Sequence, residues 1–231
     1  MKMRIISIVI VFLISISSFS QTKVGLMIGI SEYQSSSIPG VYSWSKIHGV
    51  NDVNLLSSTL LAQGFSIKTL LNETATARNI RKELSYLTSN LSKGDIVYIH
   101  FSCHGQPIED IDGDEDDGWD ESIVPYDAKM EYVKGSYEGG NHIVDDELHS
   151  YFTKIRETVG EEGLLCVVID ACHAGASSRS ENNDDNTETY KRGTKRGFSP
   201  SGKNYHPRIN TRSHFELLPQ DNLPNNRYEP L

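Results

Sequence analysis

The stretch GLLCVVIDACHAGAS, residues 163–177, predicts a buried strand that carries a cysteine at its carboxyl end. Its apolar part, residues 164–169, is followed by Asp170, Cys172 and His173 with small residues between and after them. A short apolar run with this content of β-branched residues is typical of a strand in a covered parallel sheet. Ligands of such sheets bind at the carboxyl ends of the strands. Cys172 is therefore a candidate functional thiol.

A second apolar stretch, residues 95–102, leads into another polar pair, Cys103-His104. If the two strands are neighbours in a parallel sheet, His104 and Cys172 emerge at the same edge, as a thiol nucleophile and its base require. His173 adjoins Cys172, but adjacent residues generally point in different directions. His100 lies within the strand and is expected to pack. We predict Cys172 as nucleophile and His104 as base.

The rest of the chain alternates between strand and helix patterns. Apolar residues recur at helical spacing in three segments, and β-branched runs fill the others. The order of predicted elements is strand 23–30, helix 48–64, strand 65–70, helix 76–87, strand 95–102, helix 145–155 and strand 164–170. This alternation predicts an α/β fold with a mainly parallel sheet.

Residues 1–20 have the pattern of a secretory signal peptide. Lys2 and Arg4 precede an apolar run, residues 5–16, and small residues stand at Ser18 and Ser20. The alternative is an uncleaved anchor, but the run is short for a membrane span. We expect a secreted or periplasmic protein that has no membrane association once the signal is removed. We assign residues 21–180 to the folded domain and residues 181–231 to a polar, flexible tail or a truncated remainder of the domain.

The charge of the chain excludes some partners and favours others. The net charge is −9, and it becomes −11 when Lys2 and Arg4 leave with the signal. Eight acids lie within residues 110–121, with no base among them. Nucleic acid is therefore an unsuitable partner, whereas a cation is a suitable one. The chain has three cysteines, too few for a disulfide scaffold. We expect Cys103 and Cys166 to pack in the core.

The motifs HFSCHG, residues 100–105, and IDACHAG, residues 169–175, resemble the histidine and cysteine motifs of caspase-like cysteine peptidases. The metacaspase branch is the most similar, and residues 49–65, 110–129 and 143–152 resemble it as well. The resemblance covers about residues 23–177 and lacks the Q-A-C-x-G signature of animal caspases. It implies a three-layer α/β/α sandwich with a mainly parallel central sheet, and a cysteine-type endopeptidase.

The resemblance also implies a role for each residue at the strand ends. His104 polarises the thiol and protonates the leaving amine, while the main-chain amides of Gly105 and Cys172 hold the oxyanion. Metacaspases cut after Arg or Lys, and the acids matching their pocket are Asp52 and Asp170, with Ser102 beside them. The partners expected from this are peptide or protein substrates with basic residues. Each acid has an alternative role, at a helix surface for Asp52 and in loop capping for Asp170.

No cofactor is required for this chemistry, but many metacaspases are activated by calcium. Asp145 and Asp146 resemble their calcium ligands, and Asp127 is a weaker match. An EF-hand loop beginning at Asp110 fails, because its sixth position is Glu115 where glycine is required. Weak cation binding by the acidic run and a solvated acidic loop both remain open.

Residues 190–198, YKRGTKRGF, offer sites at which an enzyme specific for basic residues could cut itself. The candidate positions are Lys191, Arg192, Lys195 and Arg196, and the alternative is an ordinary charged linker. Two features depart from the family pattern. Cys103 stands where the family usually has glycine, so it could be tolerated or could oxidise with Cys172. Few residues follow the cysteine motif, where the family has further strands.

Two other functions are consistent with these residues. The first is an inactive caspase-like module that binds peptides or cations. The second is a transition-metal site built from Cys103, His104, Cys172 and His173. Each pair of those ligands is adjacent in sequence, which suits tetrahedral coordination poorly, and no CxxC spacing is present. The metal site is therefore disfavoured.

Overall fold

The computed structural model describes residues 21–113, 115–171, 194 and 196–206. The elements are listed here in chain order: β1 Lys23–Gly29, α1 Gly49–Ala62, β2 Ser66–Leu71, a 3₁₀ turn Asn72–Thr74, α2 Ala77–Asn90, β3 Ile96–Ser102, β4 His104–Glu109, β5 Trp119–Val124, β6 Ile143–Val144, α3 Asp145–Val159 and β7 Leu164–Asp170. The signal-like residues 1–20 and the tail beyond residue 206 lie outside this description.

The central sheet is parallel in every pairing, which confirms the predicted fold class. Its strand order is β2-β1-β3-β7, and each neighbour pairs in parallel register. Parallel strands need a crossover between them, and helices α1, α2 and α3 supply these connections.

The helices cover both faces of this sheet, so the domain has three layers. On one face, a Cβ on Gly29 would lie 2.6 Å from the Gly49 oxygen and 2.8 Å from Val53, so α1 packs there. Side chains alternate between faces along a strand, and the neighbouring residues Ile28 and Phe101 belong to the main core. That core includes buried residues of α2 and α3, namely Ile80, Leu84, Leu87, Leu148, Ile155 and Val159.

A second, antiparallel sheet follows directly from β3 and was not predicted from the sequence. It has the order β4-β5-β6, and β4 begins at His104, two residues after β3 ends. Pro107 lies within β4, where proline is tolerated only at an edge because it has no N–H to donate. The Pro107 oxygen still accepts a bond from the Phe198 N–H.

Residues 196–206 run along this edge of β4 and anchor there through Phe198. The Phe198 side chain is buried, with 1% of its surface exposed, and the Phe198 oxygen accepts from the Glu109 N–H. The Glu109 carboxylate accepts from Ser199 and from both the hydroxyl and the N–H of Ser201. These bonds, that from Ser199 first, lower the pKa of Glu109. This part of residues 181–231 is therefore packed on the domain.

A buried histidine links the same edge to the core. His142 Nε2 lies 2.9 Å from Gln106 Oε1, and His142 Nδ1 lies 3.1 Å from the Tyr137 hydroxyl. Because Gln106 Oε1 can only accept, the proton of neutral His142 is on Nε2, and Tyr137 donates to Nδ1. The amide group of Gln106 donates to the oxygens of Met130 and Arg196. Burial lowers the pKa of His142 to about 4, and burial raises the pKa of Tyr137 to about 12.

His142 makes the stability of the domain depend on pH. Its pKa is about 6.5 in an unfolded chain and about 4 in the fold, so the unfolded state binds the proton first. The contribution is complete above about pH 6.5 and is lost as the pH falls toward 4. The free energy of unfolding should fall by about 3 kcal/mol over that interval from this residue alone. Urea unfolding at several pH values measures it.

The variants separate this histidine from other titrating groups. His142→Gln should be less stable at neutral pH but should lose less stability on acidification than the parent. His149→Gln, which changes an exposed histidine on α3, should keep the full pH dependence. The same pH dependence in His142→Gln and in the parent would contradict the assignment.

Candidate active site

The site lies at the carboxyl edge of the central sheet, where β3 ends between β1 and β7. Ser102, the last residue of β3, pairs with Gly29 of β1 and with Asp170 of β7. The Ser102 hydroxyl donates a 2.8 Å bond to Oδ2 of Asp52, in the first turn of α1. The structure therefore brings together all three residues that we predicted for the substrate pocket. Asp52 is half-buried, and Asp170 is exposed.

Helix α1 reaches Ser102 because its first residue is a glycine. A Cβ at Gly49 would collide with the Ser102 oxygen and would lie 2.6 Å from the Ile30 oxygen. Cβ atoms essentially never come this close to main-chain oxygens, so only glycine lets the helix begin here. The contact sets Asp52, three residues later, over the end of β3.

His104 is held in one orientation by main-chain and aromatic groups. Its side chain is buried, with 1% of its surface exposed. The main-chain N–H of His104 donates a 2.7 Å bond to the Tyr33 hydroxyl. Nε2 lies 2.9 Å from the Ser45 main-chain oxygen. That oxygen can only accept, so in the neutral ring the proton is on Nε2 and Nδ1 carries the lone pair. This is the tautomer that a general base needs.

The other predicted catalytic positions are only partly described. Gly105, the expected oxyanion donor, is the second residue of β4 and pairs with Ile123. Cys172, the expected nucleophile, and His173 lie outside the described residues, which stop at Ala171 before this gap. The oxygen of Asp170, two residues before Cys172, accepts from the Cys103 N–H at 3.3 Å. The carboxyl end of β7 is thus fixed beside the β3–β4 junction.

Of the other two cysteines, Cys103 packs in the core as expected and Cys166 does not. Cys103 is buried, with 1% of its surface exposed, and belongs to the core cluster of Phe101. Strand alternation places Phe101 and Ser102 on opposite faces, so Cys103 packs on the side of α2 and α3. Cys166 is half-buried in β7, outside the core clusters, and neither cysteine is joined in a disulfide within the described part of the chain. The proposed oxidation of Cys103 with Cys172 stays a prediction.

The predicted calcium ligands are separated in the structure. Asp145 and Asp146 lie in the first turn of α3, and Asp145 lines a cavity of about 220 Å³ together with Glu121. Asp127 Oδ1 instead accepts a 2.9 Å bond from the Ala77 N–H at the start of α2. Among the described residues, no three His, Cys, Asp or Glu side chains are arranged to hold a metal ion.

The acidic run forms a turn that uses its own main-chain donors. Asp110 accepts from the N–H groups of Gly113 and Glu115, and the bond from Gly113 is the main reason that the pKa of Asp110 is lowered. Asp117 accepts from the Trp119 N–H. These bonds agree with a solvated acidic loop.

Of the basic positions proposed for self-cleavage, the structure describes Arg196, and the other three (Lys191, Arg192 and Lys195) lie outside the described residues. The Arg196 guanidinium lies 2.8 Å from Glu131 and 4.2 Å above the Tyr42 ring. The Arg196 oxygen accepts from Gln106. The bond after Arg196 is thus held on the domain surface.

Sequence reasoning missed the residues that enclose His104. Tyr33, Trp44 and Ser45 come from residues 31–47, which form no helix or strand. Neither periodicity nor a motif identifies such a segment. The one available signal was its aromatic content in an otherwise polar stretch.

Comparison with known proteins places these features in a family. The profile described as "Metacaspase, peptidase C14 domain" matches residues 23–179. Metacaspase-1 of Eremothecium gossypii is 29% identical over 70% of this chain and 34% of its own length. Metacaspase-1B of Aspergillus terreus is 36% identical over 44% of this chain and 24% of its own length. The chain thus matches about a third or less of these relatives.

A solved structure supports the fold. Protein GSU0716 of Geobacter sulfurreducens aligns with a TM-score of 0.54 at 23% identity, over 67% of this chain and 52% of that one. At this identity the likeness concerns the fold alone.

The position of Asp127 predicts a stabilising role at the start of α2. Asp127→Ala removes the acceptor for the Ala77 N–H and should lower the free energy of unfolding by about 1 kcal/mol, equally with and without calcium. Asp127→Asn keeps a side-chain oxygen and should lose less. Urea unfolding in calcium and in chelator measures both. A loss seen only in calcium would instead make Asp127 a ligand.

Proposed function

The chain belongs to the metacaspase family, and from that premise we propose that it is a cysteine-type endopeptidase that cleaves after Arg or Lys. The observation that carries the proposal is the fixed ring of His104, with its proton on Nε2, two residues after the end of β3, where the Ser102 hydroxyl binds the carboxylate of Asp52. In this proposal a base and an acidic pocket share the carboxyl edge of the sheet, and Cys172 follows Asp170, the last residue of β7, by two positions in the sequence.

In the proposed reaction, Cys172 and His104 form the catalytic dyad. The sulfur attacks the scissile carbonyl carbon, and its proton passes to His104 Nδ1. His104 returns this proton to the leaving amine as the C–N bond breaks, which leaves a thioester. Water then releases the acid and restores the thiol.

The oxyanion and the substrate side chain need separate partners. The N–H groups of Gly105 and Cys172 would stabilise the negative oxygen of the tetrahedral intermediate. The carboxylates of Asp52 and Asp170 would bind the guanidinium or ammonium group. Ser102 supports this arrangement because its hydroxyl holds one oxygen of Asp52 and its main chain pairs with Asp170.

We further propose that calcium activates the protein and that it is exported. Asp145 and Asp146, in the first turn of α3, would supply oxygen ligands of the kind that calcium prefers. One oxygen of Asp127, the weaker match, already accepts a hydrogen bond from the start of α2. The proposal of export rests on the signal-peptide pattern of residues 1–20. Within the described residues, no helix has the length and apolarity to cross a membrane.

Fluorogenic peptides ending in Arg, Lys or Asp test the activity. We expect turnover after Arg and Lys only, and a loss of at least about a thousandfold in Cys172→Ala and His104→Ala. Asp170→Asn should lower kcat/KM for Arg about ten- to a hundredfold, because a charged hydrogen bond is lost. Glu161→Gln is the matched control, because Glu161 is an exposed acid before the amino end of β7. Its kcat/KM should equal that of the parent. No turnover by the reduced parent would favour the inactive binding module.

Calcium should raise both activity and thermal stability. Asp145→Asn and Asp146→Asn should each weaken the calcium-induced rise in Tm, because each removes a charged oxygen ligand. Differential scanning calorimetry across a calcium titration measures this without any substrate. An unchanged calcium response in both variants would contradict the proposed ligands.

A further inference from the structure

The imidazole of His104 lies against two aromatic rings. Its centroid is 5.1 Å from that of Trp44, with 27° between the planes, so the two rings are stacked. The Tyr33 ring also contacts the imidazole, with the centroids 5.1 Å apart and 40° between the planes. Tyr33 and Trp44 also touch each other, with centroids 5.8 Å apart. The three rings form one cluster at the start of β4.

Trp44 is fixed in this position by its own contacts. The indole N–H donates a 3.0 Å bond to the Ala128 oxygen, and the ring packs on Val124 and Ala128. The next residue, Ser45, supplies the oxygen at His104 Nε2. The same short segment therefore fixes both the plane of the imidazole and its tautomer. A rotation of His104 would break the stacking and the hydrogen bond together.

A stacked indole favours a cation on its face, since its quadrupole places negative charge there. His104 becomes a cation when the Cys172 proton moves from Sγ to Nδ1, which leaves a thiolate and an imidazolium with no change in total charge. We propose that Trp44 is a positioning residue that stabilises the imidazolium form of His104 and so maintains the thiolate of Cys172. This role rests on the proposed His104–Cys172 pair.

Other groups around His104 also act on its charge. The Tyr33 ring faces it from the same segment as Trp44, while the Tyr33 hydroxyl accepts from the main-chain N–H of His104 and not from the imidazole. Strand β5 presents Val124 opposite His104. Asp52 and Asp170 lie at the adjacent strand end, where Ser102 links to both. Because these carboxylates stay in place when residue 44 is changed, substitutions there isolate the indole.

The test is the pH dependence of Cys172 alkylation by iodoacetamide, a small neutral reagent that needs no peptidase activity. Mass spectrometry of the Cys172 peptide gives the rate. Trp44→Leu should slow alkylation about three- to tenfold near neutral pH and shift the thiolate midpoint upward, and Trp44→Phe should fall between it and the parent. Trp119→Leu is the matched control, because Trp119 is the chain's other tryptophan and is equally buried, at 8% exposed.

The outcomes distinguish this role from the proposed function. A parent whose Cys172 titrates like an ordinary thiol would refute the His104–Cys172 pair and this role with it. A low thiolate midpoint that is unchanged in Trp44→Leu would overturn the role of Trp44 alone. An equal shift in Trp119→Leu would also overturn it, since the effect would then be a general loss of packing.

A fluorescence titration avoids any change to Trp44. In Trp119→Phe, Trp44 is the remaining tryptophan, and a protonated imidazole in contact quenches indole emission. We expect the emission to titrate with the charge of His104 and this titration to disappear in His104→Gln. Emission with the same pH profile in both proteins would overturn the contact.

Discussion

The close approach of helix α1 to the ends of β1 and β3 determines the rest of the site. A Cβ on Gly29 would strike the main chain of α1 at Gly49. A Cβ on Gly49 would strike the main-chain atoms of Ser102 and Ile30. The oxygen of Ser102 also accepts from the Ile30 N–H at 3.0 Å, so β1 and β3 stay paired past their formal ends. Two larger residues here would lift the helix and move Asp52 away from Ser102. The proposed acidic pocket therefore depends on two residues that carry no functional group.

The same strand end explains why His104 points where it does. Beyond Ser102 the chain leaves the parallel sheet and enters β4, which pairs antiparallel with β5. The chain between β1 and α1, residues 31–47, covers this junction with Tyr33, Trp44 and Ser45. Because that segment connects the two elements that meet at the glycines, its path is short and fixed at both ends. The geometry of the base thus follows from the packing of α1.

The sequence predicts those features that depend on local pattern and misses those that depend on distant pairing. The helix expected at residues 76–87 is α2, Ala77–Asn90, and the strand expected at 95–102 is β3, Ile96–Ser102. Strands β4 and β5 escaped prediction because Gly105 and Pro107 interrupt any strand pattern, and their pairing spans the acidic loop. Family resemblance alone assigned Asp52, Ser102 and Asp170 to a substrate pocket. Trp44 could not be identified in this way, because its proposed role depends on tertiary contacts.

Two buried histidines show how contacts decide the chemistry of one residue type. In both His104 and His142 an oxygen that can only accept fixes the proton on Nε2. Tyr137 donates to Nδ1 of His142, so a second proton there would require that hydroxyl to turn away inside the core. His142 accordingly stays neutral and joins Gln106 to the segment of Phe198. His104 lies instead two residues after Ser102, whose hydroxyl binds Asp52, and its ring stacks on an indole. An indole face favours a cation, so this contact suits the imidazolium that the proposed mechanism requires.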